Sequence, residues 1–205
     1  MTPDGEPRPH RPARFADLTE LIDAADGAPP DSRAEIAAAT AAVLVQAGRA
    51  PGDGARFVAL ADRVGIDTLA ALWRDADPAS LPGVLWALYL LRQWCHTDGD
   101  DATRLWRAGE PYAPAEAVVA GAGEYADVEA VRRMADAVLT GVYQGELDVA
   151  LERAAAFFRV IAAGRRTLGG RAQRAPDGVD LAERNERAAS ALAAAARSWR
   201  AGTLH

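Results

Sequence analysis

Apolar residues recur along this chain at three- and four-residue intervals, and nowhere do they alternate with polar ones over the length of a strand. That spacing predicts helices over residues 55–64, 68–75, 81–96, 101–108, 113–120, 128–143 and 147–166. "RAEIAAATAAVLVQA" has the same period, with Asp31 and Ser32 placed to cap it and Gly48 to end it. "FADLTELIDAA" at 15–25 reads as a further short helix. Residues 1–14 are rich in proline and arginine, carry no pattern, and read as a disordered tail.

"GRRTLGGRAQRAPDG" at 164–178 breaks the periodicity and reads as a flexible basic linker. Asp180 then opens a last helix to about residue 200, with an apolar stripe of Leu181, Ala188, Leu192, Ala196 and Trp199. So narrow a stripe suits docking on the main body or on a second chain. The expected organisation is a tail at 1–14, a helical domain at 15–168, a linker at 169–178 and a docking helix at 179–205. Short helices joined by short Pro/Gly loops imply antiparallel hairpins. The fold class is therefore all-α, a multi-helix bundle of antiparallel helical hairpins with a C-terminal docking helix.

The stretch "LPGVLWALYLLRQWCHTDGDD", residues 81–101, is the most apolar in the chain. At 100° per residue, Leu81, Val84, Leu88, Leu91 and Cys95 share one face, and Trp86, Leu90 and Trp94 the opposite one. A helix apolar all round is normally enclosed by others, so this segment is expected at the centre of the core. Arg92 interrupts the first face. A buried guanidinium needs carboxylates or backbone carbonyls, and Asp98, Asp100 and Asp101 can reach it if the chain doubles back. Alternatively its stem packs on the core while the charge snorkels to solvent. A ligand-binding pocket walled by Trp86, Tyr89 and Trp94, with Arg92 holding an acidic group, is the candidate small-molecule site.

Composition narrows the function classes. Half the residues are hydrophobic and a quarter charged, a globular balance. The formal net charge is -6, which argues against general binding to nucleic acid or to an anionic membrane, because both need a cationic surface. Every basic residue is arginine and none is lysine, a bias that fits a GC-rich bacterial genome. The one cysteine, Cys95, excludes an intrachain disulfide and fits a reducing cytoplasm. The N-terminus lacks the apolar core of a secretory signal. The longest apolar run, 81–91, is about half of what a bilayer requires.

Two internal motifs stand out. "LWRDADP" at 72–78 returns as "LWRAGEP" at 105–111, aligning Leu72 with Leu105, Trp73 with Trp106, Arg74 with Arg107, Asp77 with Glu110 and Pro78 with Pro111. Their offset is the size of a two-helix repeat. "QGELDVALERAAAFF" at 144–158 resembles the turn and second helix of a tetratricopeptide repeat, with Gly145 at the turn and Ala150 and Ala154 at the small-residue positions. The preceding helix lacks the Trp, Leu-Gly and Tyr pattern of such repeats. "LADRVGIDTLAALWR", through Leu60, Ala61, Gly65, Ile66 and Asp67, resembles the first helix and turn of a helix-turn-helix. Its following helix carries Leu69, Ala70, Ala71, Leu72 and Trp73 before Arg74, residues that suit a core better than base edges.

Catalytic and metal chemistry find little to build on. "HTDGDD" sets His96 beside Asp98, Asp100 and Asp101, but the spacing fails for a calcium loop, and the aspartates suit the cap and first turn of the next helix. The other histidines are His10 and His205. No Glu-x-x-His pair, nucleophile elbow or phosphate loop is present. Glu116, Glu124, Glu129 and Asp136 read as surface carboxylates. The basic cluster of Arg165, Arg166, Arg171 and Arg174 reads as a solvated helix end. No catalytic residue, metal ligand or cofactor is expected. The expectation is a non-catalytic cytoplasmic protein acting in protein–protein interaction or regulation, with a protein partner or a second copy. A helix-turn-helix transcription regulator and a small-molecule-binding or enzymatic bundle are the alternatives.

Overall fold

The computed structural model describes residues 29–48, 54–123, 126–169 and 180–204. The tail at 1–14, the short helix expected at 15–25 and most of the linker expected at 169–178 lie outside the described residues. Within them the chain is all-helical. In order, α1 is Pro30–Gly48, α2 Gly54–Val58, α3 Leu60–Val64, α4 Ile66–Trp73, α5 Leu81–Thr97 and α6 Gly99–Gly109. A 3₁₀ turn at Glu110–Tyr112 leads to α7 (Pro114–Ala120), α8 (Val128–Tyr143), α9 (Leu147–Leu168) and α10 (Leu181–Arg200). The helix expected over 55–64 is interrupted at Ala59, and the one expected from residue 68 starts earlier, at Ile66.

Local chemistry sets these boundaries. Asp77 accepts from the Ala79 amide at 2.7 Å, and Ser80 caps α5 by accepting from the Gly83 amide at 3.3 Å, with Pro82 in the first turn. Asp127 and Asp180 cap α8 and α10 in the same way, accepting from Ala130 and Ala182, each at 2.7 Å. A single residue, Asp98, separates α5 from α6. Asp98 makes no side-chain cap bond there, contrary to its expected role; Asp100 and Asp101 do occupy the first turn of α6, where their charge suits the helix dipole.

Two helices organise the interior. α5 packs on α1, α4 and α8, while α9 packs on α6, α7, α8 and α10. Leu81, Val84, Leu88, Leu91 and Cys95 of α5 are buried, as the first apolar face predicts, and Leu85 and Tyr89 are buried with them. The opposite face is not enclosed: Leu90 is exposed, and Trp86 and Trp94 are half-buried. α9 is the more deeply enclosed hub, with Leu147, Leu151, Phe157, Val160 and Ile161 all at 0 % exposure. Full burial of a leucine or phenylalanine side chain contributes roughly 1.5–3 kcal/mol.

Small residues let α9 approach its neighbours closely. A Cβ added at Gly109 of α6 would sit on the Val160 carbonyl oxygen, and one added at Gly164 would sit on the Leu105 carbonyl oxygen. The two backbones therefore meet directly. α10 lies antiparallel on α9 through Ala182, Ala189, Leu192, Ala195 and Ala196. The first half of this stripe runs one residue later than periodicity predicts, because Leu181 and Ala188 are only half-buried while Ala182 and Ala189 face α9. Arg200 at the end of α10 donates to Asp148 (2.7 Å) and Glu152 (2.6 Å) at the start of α9, and Arg166 near the far end donates to Glu186 (2.9 Å).

The two LWR copies share burial but not context. Trp73 and Trp106 are both fully buried, and neither indole N–H has an acceptor among the described residues. Trp73 closes an eight-residue helix, whereas Trp106 lies inside an eleven-residue one.

Candidate functional site

Arg92 is 8 % exposed and places its charge between two carboxylates. Its Nη1 and Nη2 donate to the two oxygens of Asp62 on α3, at 3.0 and 2.9 Å, a bidentate pair. Its Nε donates to Asp136 Oδ1 on α8 at 2.7 Å. Burial opposes the guanidinium charge, but Asp62 and Asp136 outweigh it and hold Arg92 above its ordinary value. His96 joins the same cluster, its Nε2 lying 3.0 Å from Asp136 Oδ1, and Arg132 donates to the His96 carbonyl at 3.2 Å. Three helices are thus tied at one point. Asp98, Asp100 and Asp101, the partners expected from proximity in sequence, are not the ones used; Asp101 pairs with Arg104 at 2.6 Å.

The other members of the expected pocket are spent on packing. Tyr89 is fully buried and donates to the Phe57 carbonyl at 2.6 Å. Its oxygen also lies 2.6 Å from the Tyr143 hydroxyl. Tyr89 has one proton and gives it to Phe57, so Tyr143 is the donor between the phenols. Burial raises both phenols above the ordinary tyrosine value. Trp94 packs edge-on against Phe157, ring centroids 6.2 Å apart, under the Arg165 guanidinium. Trp86 packs half-buried against the core elsewhere on α5. Arg92 and Tyr89 turn towards α8 while Trp94 turns towards α9, so the structure does not gather all four side chains around one space. Cys95 is buried beside them, its thiol pushed up to about 12 by burial and by the Asp136 charge.

The helix that would read bases in a helix-turn-helix is α4, and its Leu69, Leu72 and Trp73 are buried. A helix holding that face in the core does not lay it in a groove. Among the described residues, no group of three or more His, Cys, Asp or Glu side chains is placed to hold a metal ion, and no helix is long and apolar enough to cross a membrane.

The feature that periodicity did not single out lies on α7. This short helix turns Ala117 and Ala120 inward onto α9 and leaves its larger side chains outside. Val118 is 82 % exposed, Val119 51 %, and Tyr112 on the preceding turn 71 %. Beside Val118 opens a cavity of about 520 Å³, lined by Glu110, Pro111, Pro114, Ala117, Val118, Gly121 and Gly123. Arg153 of α9 holds the helix from below, donating Nε and Nη2 to the Ala120 carbonyl, both at 3.2 Å. Gly121, at φ 81°, takes the left-handed turn that closes α7 over this arginine. A wheel drawn for "PAEAVVA" shows the inversion, since Ala117 and Ala120 fall on one side and Val118 and Val119, with Ala115 between them, on the other.

No protein-family model, curated protein or solved structure matches the chain.

Proposed function

We propose that this is a cytoplasmic, non-catalytic helical protein that acts by protein–protein interaction, through the face formed by the 3₁₀ turn and α7. The observation that carries this reading is the exposure of Tyr112 on the turn and of Val118 and Val119 on a helix that gives only alanines to the core, with Val118 lining an open cavity. Exposed apolar side chains grouped around a concavity mark interaction sites on soluble proteins. The Arg92 cluster supports the same reading indirectly. Its guanidinium is paired internally with two carboxylates, and the adjoining tyrosine hydroxyls are likewise occupied, so this polar centre works as a tie between helices. A buried thiol suits a reducing compartment.

The test compares wild type with a Val118→Asp, Tyr112→Ser double variant. Circular dichroism should show the same helix content in both, because neither side chain contributes to the core. Native mass measurement and affinity capture from the source cells should show a partner or an oligomer for wild type and its loss in the variant. A strict monomer whose captured proteins do not depend on these two residues would overturn the reading.

A further inference from the structure

The α7 face carries charge as well as apolar surface, and the charge is of one sign. Glu110 lines the cavity beside Val118. Glu116 stands on the other flank of the helix, at 100° per residue next to Val119 and away from Val118. Both are half-exposed, and neither carboxylate forms an ion pair among the described residues. Cations close by in the fold are committed elsewhere: Arg107 donates to the Ala126 carbonyl at 2.9 Å and Arg153 to the Ala120 carbonyl. Among the described residues, the apolar ridge is therefore bracketed by two carboxylates that no cation of the chain pairs with.

From this we infer that the α7 face takes a basic-flanked apolar segment of a partner protein, one hydrophobic side chain entering the cavity between Pro111, Pro114 and Val118, with arginine or lysine on both sides meeting Glu110 and Glu116. Complementary charge at the rim orients such a segment and speeds its arrival, while the apolar anchor supplies the burial. An acidic segment would set like charges against the two glutamates, and the excess negative charge of the whole chain disfavours it further. The inference rests on the reading of this face as an interaction surface and adds the chemistry of what it receives.

The experiment places a photo-reactive benzophenone amino acid at Tyr112 of the full chain in the source cells and identifies the cross-linked peptide by mass spectrometry. The result expected is a segment of another protein with an apolar residue flanked on both sides, within a helical turn, by arginine or lysine. Reversing both charges, Glu110→Arg with Glu116→Arg, should lower the cross-link yield about tenfold or more, as expected when one or more rim charges meet their like. Circular dichroism and the thermal midpoint of the reversed chain show whether it remains folded, and raising the salt concentration with the wild-type chain gives a second readout that needs no variant. A cross-link to an uncharged or acidic segment, to a second copy of this chain, or one indifferent to both charge reversal and salt would overturn this inference while leaving an interaction at α7 in place. No cross-link at all would overturn both.

Discussion

Gly109 and Gly164 occupy one crossing, each filling the space beside the other helix's carbonyl, so that α6 and α9 touch backbone to backbone. No side chain fits there without moving a helix. Gly164→Ala should therefore destabilise the fold by about 1–3 kcal/mol or more, as overpacking of a closed interior does. Gly141 in α8 provides the contrast, since a Cβ there meets Ala150 Cβ at 3.5 Å and the Glu146 carbonyl oxygen at 4.0 Å, both ordinary contacts. Gly141→Ala should be neutral, or stabilising by up to ~1 kcal/mol through helix propensity. Urea unfolding midpoints of the two variants measure both effects, and a mild Gly164→Ala would show that the crossing is looser than described.

The charge cluster at Arg92 should be asymmetric to substitution. Removing both carboxylates, Asp62→Asn with Asp136→Asn, leaves a buried guanidinium without charge partners and should cost ~1–3 kcal/mol. That is below the range for fully buried pairs, because water reaches both aspartates. Arg92→Met keeps the apolar stem and leaves two partly solvated carboxylates, so it should cost less. Thermal unfolding of the two proteins decides the order, and an Arg92→Met more damaging than the double aspartate change would contradict it.

The tyrosine pair makes a directional prediction of its own. Tyr89→Phe takes the donor from Phe57 and the acceptor from Tyr143, whereas Tyr143→Phe removes only one bond and leaves Tyr89 bonded to Phe57. Tyr89→Phe should be the costlier change by about 1 kcal/mol. Both phenols are raised in the folded state, so the folded chain holds their protons more tightly than the unfolded chain does. Their contribution is fully present below the unfolded tyrosine value near ~10 and is lost as pH rises above it. Denaturant midpoints between neutral pH and strongly alkaline pH should fall only at the alkaline end, and less steeply in Tyr143→Phe.

At the opposite end of the pH scale, the α9–α10 clasp should respond. Hydrogen bonds from Arg200 hold the Asp148 and Glu152 carboxyls below their ordinary values. A depressed carboxylate stabilises at neutral pH, and that contribution is lost as pH falls through its lowered value. Hydrogen-exchange protection over residues 190–200, corrected for the intrinsic rate at each pH, should be lower in Arg200→Ala at neutral pH, while acidification should lower it in wild type and change the variant little. Equal acid sensitivity in the two proteins would remove the clasp from the explanation.

Sequence periodicity reaches the helices well and their partners poorly. The apolar face of α5, the capping Asp180 and the breaks at Gly48 and Gly145 follow from local rules, because each depends on residues within a turn or two. The partners of Arg92 lie 30 and 44 positions away, and no local rule selects Asp62 and Asp136 over the nearer Asp98 and Asp101. Trp86 and Trp94 were expected beside Arg92, yet they leave α5 on other sides, since a helix turning 100° per residue spreads its aromatics around the axis. The α7 face was readable in "PAEAVVA", but large apolar residues are usually assigned inward, and only the close approach of Ala117 and Ala120 to α9 shows that here they point out.

Glu152 and Arg153 are consecutive on α9, and their side chains leave it in different directions, one to Arg200 on α10 and the other to the last carbonyl of α7. The outermost helix and the exposed valine ridge are thereby fastened to the same stretch of backbone. Thermodynamic reciprocity then sets the relation between them: if an occupant of the ridge alters how firmly α10 is seated, loosening α10 changes the affinity of the ridge by the same factor.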